Sequence, residues 1–316
     1  MKLGIIGLPG SGRRTLFSAL TGNSAQGGSG GLGSVKVPDV RLDWLSALYE
    51  PKKTTPASVE FVLPLSNDRT ALRQADALVH IVNCFDGSDP TENIVNLNTE
   101  LLLSDIESVE KRVERAKKNA KGDKKYQAEA DTLAALLAHL SAEKPARTFS
   151  EQVPELLTGA PIIYVANYDE DGYKAHGELT FDGQTAIPIC AKLESELQEL
   201  DPEEREPFLE DLGIKETGQY ALLRSSYSLL GLMSFLTSGK DEVRAWTIKH
   251  GTKAPQAAGK IHSDIERGFI RAELVAFEDL KASGDMQTAK EKGLVRLEGK
   301  EYIMKDGDVV NFRFNV

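Results

Sequence analysis

Cysteine is scarce in this 316-residue chain: Cys84 and Cys190 are the only two, each at the end of an apolar run. That excludes a disulfide framework and a cysteine zinc cluster, and leaves two small buried thiols in a reducing, cytoplasmic setting. Histidine is equally thin. Its five copies are scattered without metal-ligand spacing, so no metal site and no Cys/His or Ser/His/Asp catalytic set is assigned. His80, inside an apolar strand, reads as a satisfied core histidine. No apolar run approaches the ~20 residues that span a bilayer, and a strand beginning at Lys2 leaves no room for a signal peptide. Positive charge is in deficit, 38 Lys/Arg against 48 Asp/Glu for a net charge of −10. That balance argues against indiscriminate nucleic-acid binding, and no DNA or membrane partner is expected.

What is present is an ordinary globular composition, 41% hydrophobic and 27% charged, in a length suited to two or three domains. Short β-like runs at Lys2–Ile6, Val59–Leu63, Ala77–Cys84, Pro161–Ala166 and Thr185–Cys190 alternate with helical stretches, the pattern of an α/β parallel sheet. Residues 22–34, with six Gly and three Ser, read as a flexible loop without a core face. Between 96 and 157 the sheet pattern is interrupted. Leu102, Ile106, Val109, Val113, Ala116 and Ala120 recur at helical spacing, as do Tyr126, Ala130, Leu133, Leu137 and Leu140. With the polar turn Lys121–Lys125 between them, the two stripes predict an antiparallel helical hairpin. From about Leu232 short strands follow at Val243–Ile248, Phe269–Phe277, Lys300–Met304 and Val309–Phe314, with Asp306-Gly307 as a hairpin turn between the last two.

Charge is unevenly spread. Residues 194–211 hold nine acids and one base, a solvated acidic helical patch. Residues 111–125 hold eight bases and two acids. Lys111, Arg112, Arg115, Lys117, Lys118, Lys121, Lys124 and Lys125 thus gather at the hairpin tip. Solvation of an exposed helix face is the plain alternative, but such faces usually pair their charges at i,i+4 rather than concentrate one sign.

Gly7-Leu8-Pro9-Gly10-Ser11-Gly12-Arg13-Arg14-Thr15 follows a strand and opens a helix, where backbone N–H groups can surround phosphate oxygens. The pattern G-x-x-x-x-G-K-[ST] fails at two positions. Arg13 keeps the lysine's charge without its compact ammonium. Arg14 puts a cation where a hydroxyl should hold Mg2+, and Thr15 is turned ~100° further round the helix. Losing one charge-assisted hydrogen bond to phosphate costs roughly 1.5–3 kcal/mol. Alone, the loop reads equally as an anion site or as a tight strand-to-helix turn.

Other segments bear on that choice. Gly7-Leu8-Pro9 with Thr15-Leu16-Phe17, Val37-Pro38-Asp39 with Arg41-Leu42, Pro51-Lys52-Lys53, and Asn98-Thr99-Glu100-Leu101 resemble the YchF/Obg-like ATPase family. The most specific strings lie near the C-terminus: Val243-Arg244-Ala245-Trp246-Thr247-Ile248, Ala254-Pro255-Gln256-Ala257-Ala258-Gly259-Lys260-Ile261-His262, and the closing Phe312-Arg313-Phe314-Asn315-Val316. The resemblance covers nearly the whole chain. It implies a P-loop G-domain sheet (residues 1–95 and 158–231), an inserted antiparallel helical hairpin (96–157) and a C-terminal β-grasp TGS domain (232–316).

The resemblance also implies roles. The family's N-x-x-E base motif falls on Asn167-Tyr168-Asp169-Glu170 and its S-A-K segment on Cys190-Ala191-Lys192, with ATP or GTP as the ligand. On its own, Asn167 reads as a strand-end turn residue. Where the family's D-x-x-G should follow Phe61-Val62, the chain has Leu63-Pro64-Leu65-Ser66, and the first switch is replaced by the Gly/Ser run. Metal ligands and the water-positioning segment are therefore missing together, which argues against held Mg2+ and places active hydrolysis behind two other readings. These are a nucleotide-binding regulator with slow or absent hydrolysis, and a nucleotide-free scaffold. The family's link to translation implies a ribosome or structured RNA as partner, met by the hairpin tip and the TGS domain.

Overall fold

The computed structural model describes residues 1–22, 30–64, 69–214 and 216–315. The elements begin with β1 (Lys2–Ile6), α1 (Arg13–Thr21), β2 (Gly31–Lys36), α2 (Val40–Tyr49), β3 (Lys53–Thr55), β4 (Ser58–Leu63) and β5 (Ala77–Asn83). There follow α3 (Pro90–Gly122), α4 (Gln127–Ser141), β6 (Ile162–Asn167), α5 (Glu170–Ala175), β7 (Thr180–Phe181), β8 (Gln184–Thr185), β9 (Ile187–Ile189), α6 (Ala191–Glu199) and α7 (Pro202–Asp211). The chain closes with α8 (Gly218–Leu229), β10 (Leu232–Thr237), β11 (Glu242–Lys249), α9 (Ala254–Ile261), α10 (Ser263–Arg267), β12 (Phe269–Ala276), α11 (Phe277–Ser283), α12 (Met286–Glu291), β13 (Arg296–Glu298) and β14 (Asp308–Phe314). They form two compact units, residues 1–35 with 60–222 and residues 36–59 with 223–316. Among the described residues no helix is long and apolar enough to cross a membrane.

In the first unit a six-stranded sheet has the order β2-β4-β1-β5-β6-β9, and β4, β1, β5, β6 and β9 run parallel. Every residue of β5 and of β6 is buried, as expected of central parallel strands covered on both faces. On one face Ile94, Leu97 and Leu101 of α3 pack on Leu78, Val82, Ile162 and Tyr164. The Gly/Ser run was expected to be loop throughout. Its end is instead the strand β2, with Val35 buried and Gly31 and Gly33 lying against Phe17 and Thr21. Residues 23–29 of that run lie outside the described residues.

Helix α3 starts earlier than the expected boundary at 96. Pro90 takes the first turn and the Asp89 carboxylate caps the Thr91 N–H, both strong start signals. One 33-residue helix therefore covers the sheet with its first turns and forms the hairpin with its last. There Val109, Val113 and Ala116 meet Ala130, Leu133, Leu136 and Leu140 of α4. Midway, fully buried Asp105 fixes the helix to the chain returning from the hairpin. It accepts from the Leu157 and Thr158 N–H groups at 3.0 and 2.7 Å, from the Thr158 hydroxyl at 2.8 Å, and from Arg73 at 3.0 Å.

The second unit holds a six-stranded sheet in the order β13-β12-β14-β10-β11-β3. Ala254, Ala257 and Ala258 of α9 pack with Phe235, Ile248 and Phe312. A separate cluster joins Leu42 and Leu45 of α2 to Leu236, Val243, Val275 and Val309. Segment 36–59, assigned from sequence to the first domain, thus belongs to this unit. Its apolar helix face needs this cluster, β3 pairs with β11, and Arg41 bridges Asp39 and Asp306 at 2.8 and 2.7 Å.

Two strand expectations are corrected. Lys300–Met304 is no strand: Ile303 makes a single bridge with Lys253, while the Tyr302 carbonyl and Met304 N–H are taken by Ala254 and Thr252. The turn at Asp306-Gly307 therefore leads into β14 without forming a hairpin, and β14 pairs with β12 and β10. Leu232–Thr237, not singled out from sequence, is β10. Its four central residues are all buried, which removes the alternation that marks a one-sided strand.

Removing one partner from a buried charged network leaves the others unpaired, at a cost of about 3–5 kcal/mol. Asp105→Ala should destabilise the first unit by that amount in urea unfolding, and Asp105→Asn by less. A loss below about 1 kcal/mol for Asp105→Ala would show that the network is dispensable.

Candidate phosphate-loop site

The site is built on the carboxyl ends of parallel strands, where the strand order changes direction. From β1 the chain goes to β2 and β4 on one side, then returns to β5, β6 and β9 on the other. Crevices of this kind are where open α/β sheets take ligands. The turn after β1 closes with the Ser11 N–H donating to the Leu8 carbonyl at 3.2 Å. Gly12 sits at φ 89° and no side chain caps the first turn of α1. Its φ and the adjacent Asn167 amide, which a Cβ would strike, both require glycine there.

Asn167, 4% exposed at the end of β6, is bonded to protein backbone through both ends of its amide. Nδ2 donates to the Ser11 carbonyl at 3.0 Å and Oδ1 accepts from the Ala191 N–H at 2.9 Å. Asn167 thus clasps the Gly7–Thr15 turn to Cys190-Ala191-Lys192, and these two bonds use only one of the two Nδ2 hydrogens. Glu170, at the start of α5, is exposed and accepts from Lys192 Nζ at 2.7 Å. This ion pair holds the Glu170 carboxyl below its usual range and raises the Lys192 ammonium, with Glu196 also helping the latter.

The two arginines differ. Arg14 and Thr15 are exposed, whereas Arg13 is partly buried. No hydrogen-bond or ion-pair partner within the described residues reaches the Arg13 guanidinium. Desolvation and the neighbouring Arg14 lower its pKa, opposed by Glu100. Beneath the turn the Ser11 hydroxyl is buried with no hydrogen-bond partner. Uncapped helix N–H groups, an unpaired cation and an unpaired hydroxyl on one turn have the chemistry of an anion site. Glu100, from α3, also pairs with Arg69 at 3.0 Å; the string Asn98-Thr99-Glu100-Leu101 contains it, but nothing in that string marks it as a neighbour of Arg13. Among the described residues no group of three or more His, Cys, Asp or Glu side chains could hold a metal ion. Leu63 is buried, while residues 65–68, which continue the segment in the second-switch position, lie outside the described residues.

Three neighbouring expectations change in detail. Cys190 is buried as expected but Cys84 is only partly buried; desolvation still pushes the Cys84 thiol up to about 11 and raises Cys190, so neither is a thiolate at neutral pH. Glu194 is not part of a solvated acidic patch. It is buried in the first turn of α6 and accepts from the Gly218 N–H at 2.7 Å, serving the start of α8. His80 is buried, but its Nδ1 lacks a partner. At the hairpin tip Lys111 pairs with Glu107 and Lys125 with Asp123, and Arg112 donates to the Pro154 carbonyl at 3.1 Å. Arg115, Lys117, Lys118, Lys121 and Lys124 are exposed without an ion-pair partner among the described residues.

A family profile named YchF-GTPase_C and described as "Protein of unknown function (DUF933)" matches residues 232–315. Over 364 aligned positions, covering 100% of both proteins, the chain is 45% identical to the ribosome-binding ATPase YchF of Bacillus subtilis. The chain belongs to the YchF family. It is 39% identical to the YchF of Escherichia coli O157:H7, described as a ribosome-binding ATPase, over 100% of the chain and 99% of that protein. The structure of the Schizosaccharomyces pombe YchF GTPase superposes with a TM-score of 0.83 at 28% identity, covering 99% of this chain and 97% of that one. A GTP-binding protein from Pyrococcus horikoshii OT3 shares the fold, with a TM-score of 0.66 at 19% identity. An alignment of 364 positions against 316 residues leaves at least 48 positions without a residue in this YchF chain.

His80 and Glu194 give this YchF fold two opposed pH dependences. Burial lowers the histidine to about 4, so its contribution is lost as pH falls from about 6.5 to 4 while the unfolded chain takes up the proton. Burial raises Glu194 to about 7, so stability falls as pH rises from about 4.5 to 7. Each effect amounts to about 3 kcal/mol across its window. The stability difference between wild type and Glu194→Gln should therefore change by roughly that amount between pH 4.5 and 7, and the difference for His80→Leu should change in the opposite sense. Parallel curves for wild type and both variants would contradict the assignment.

Proposed function

We propose that this chain is a ribosome-associated regulator that binds purine nucleotides weakly and hydrolyses them little or not at all. The observation that carries the nucleotide part is the Gly7–Thr15 turn, with partly buried Arg13 over an uncapped helix start and the Ser11 hydroxyl buried, neither with a partner among the described residues. Two guanidiniums supply the charge that a lysine and Mg2+ would otherwise share. Arg14 occupies the position of a metal-holding hydroxyl, so the site favours phosphate without metal. Nothing supports a positioned attacking water, since Leu63 and Pro64 stand where the carboxylate of the second switch would begin. Relatives described as ribosome-binding ATPases support the ribosome as partner. The five cations of the hairpin tip that have no ion-pair partner among the described residues supply contacts suited to phosphate backbones.

A second reading rests on Asn167. Its amide already bonds Ser11 and Ala191, so the loops are held together without a base between them, as a nucleotide-free scaffold requires. Calorimetric titration with ATP, GTP and ADP separates the two readings. Measurable binding that weakens by about one to two decades in Arg13→Gln supports the first. Absence of binding in the wild type supports the second, and turnover comparable to ordinary NTPases contradicts both.

The ribosome reading has its own test. Each lysine contact to a backbone phosphate releases a counterion, so binding should fall steeply with salt. Reversing Lys117, Lys118, Lys121 and Lys124 to Glu should abolish co-sedimentation with ribosomes while circular dichroism and melting stay unchanged. Equal co-sedimentation at the same salt would reduce the tip to a solvated helix end and leave the 232–316 region as the ribosome-facing surface.

A further inference from the structure

We propose that the cleft at the base of the hairpin binds a small carboxylate with an apolar body, a medium-chain acyl acid in its simplest form, whose head is received by Arg147 and the Tyr164 hydroxyl. Neither residue belongs to the Gly7–Thr15 turn or to its clasp, so the site is independent of the nucleotide reading.

The cleft is lined by α3, the end of α4 and the β7–β8 hairpin, and has a volume of about 860 Å3. Pockets that take small molecules span roughly 300–1,000 Å3 and are mostly apolar. Leu102 and Ile106 of α3, Leu140 of α4 and Phe181 of β7 supply an apolar wall. At the rim, Val95 and Leu103 of α3 are 46% and 59% exposed, apolar surface that the fold itself leaves in water. A ligand with an apolar body covers this surface and gains by doing so.

Two donors at one end of the cleft lack close acceptors. The Arg147 side chain is only 24% exposed, and its one ion pair, with Asp182, is long at 3.9 Å. Its guanidinium donates no hydrogen bond to the described residues. Tyr164 of β6 is 2% exposed, and its hydroxyl has no hydrogen-bond partner among the described residues. Its ring meets Phe181 edge-on at 5.5 Å. The polar groups around the hydroxyl are Asn98, Arg147 and Asp182, and all three line the cleft. Burial raises the Tyr164 phenol above its ordinary range, so it stays protonated and able to donate. Polar groups removed from water without partners are costly, and a carboxylate has two oxygens with which to receive both. Asp182, at the hairpin turn and 66% exposed, is the carboxylate that the ligand replaces. Because Asp182 and Glu143 both line the cleft, a singly charged head is repelled less than a phosphate dianion.

Decanoate binding to the full chain, followed by calorimetry and by the rise in melting temperature it causes, tests this with decanol as the uncharged control. Decanoate should bind about tenfold more tightly than decanol, and Arg147→Gln should remove that preference. Tyr164→Phe should weaken decanoate about threefold. The same variant, free of ligand, should melt at the wild-type temperature or above, because the hydroxyl it removes has no partner to lose. Asp182→Asn, on an exposed side chain, should tighten decanoate by removing the competing carboxylate. A wild type that binds no decanoate, or binds decanol equally well, overturns the inference. So does a preference for decanoate that survives Arg147→Gln, or a weaker decanoate complex in Asp182→Asn. A Tyr164→Phe protein that melts well below the wild type would show the hydroxyl to be bonded within the fold, and would overturn it too.

Discussion

One buried amide organises the loops at the carboxyl end of the first sheet. Asn167 donates to the carbonyl of Ser11 and accepts from the N–H of Ala191, so the turns that follow β1, β6 and β9 are held in one arrangement. A buried amide left without such partners would cost about 1–3 kcal/mol, which makes the clasp a constraint on all three turns. Gly12 has to be glycine because the amide lies against it, and Arg13 starts its helix where the clasp ends. The Glu170–Lys192 pair links the segment after β6 to the segment after β9 from the solvent side.

Within that frame the charges have been redistributed. A lysine and a metal ion would concentrate positive charge at one point; Arg13 and Arg14 spread it over two planar groups that repel each other. A bound polyanion relieves both the repulsion and the incomplete solvation of Arg13, which gives such a ligand a physical reason to bind. It gives no means of activating water, and that is why binding and hydrolysis part company in this account. The proposed role of the hairpin tip is of longer range, resting on cations whose attraction is screened within a Debye length of roughly 8–10 Å at ordinary salt.

Much of the architecture was legible in the sequence because periodicity survives where one face is buried. The stripes from Leu102 to Ala120 and from Tyr126 to Leu140 announced the hairpin, and the apolar runs at 77–84 and 161–166 announced the central strands. What failed was long-range. Nothing near Val40 says that α2 packs with Val243 and Val275, and nothing near Lys300 says that its neighbours' backbone groups are taken by Thr252 and Ala254. At the site, the Gly7–Thr15 turn and its two arginines were visible as a pattern. The engagement of Asn167 by backbone, the pairing of Glu170 with Lys192 and the approach of Glu100 to Arg13 are properties of the folded chain, and no residue type at a fixed spacing encodes them.

The proposed phosphate site would work through guanidinium and helix N–H groups with no metal. The most direct measurement is the dissociation constant of ADP determined twice by calorimetry on the same protein, once in excess EDTA and once in excess Mg2+. The account predicts weak binding with nearly equal constants in the two conditions. Binding that appears only with Mg2+, or tightens by an order of magnitude or more when it is added, would contradict it.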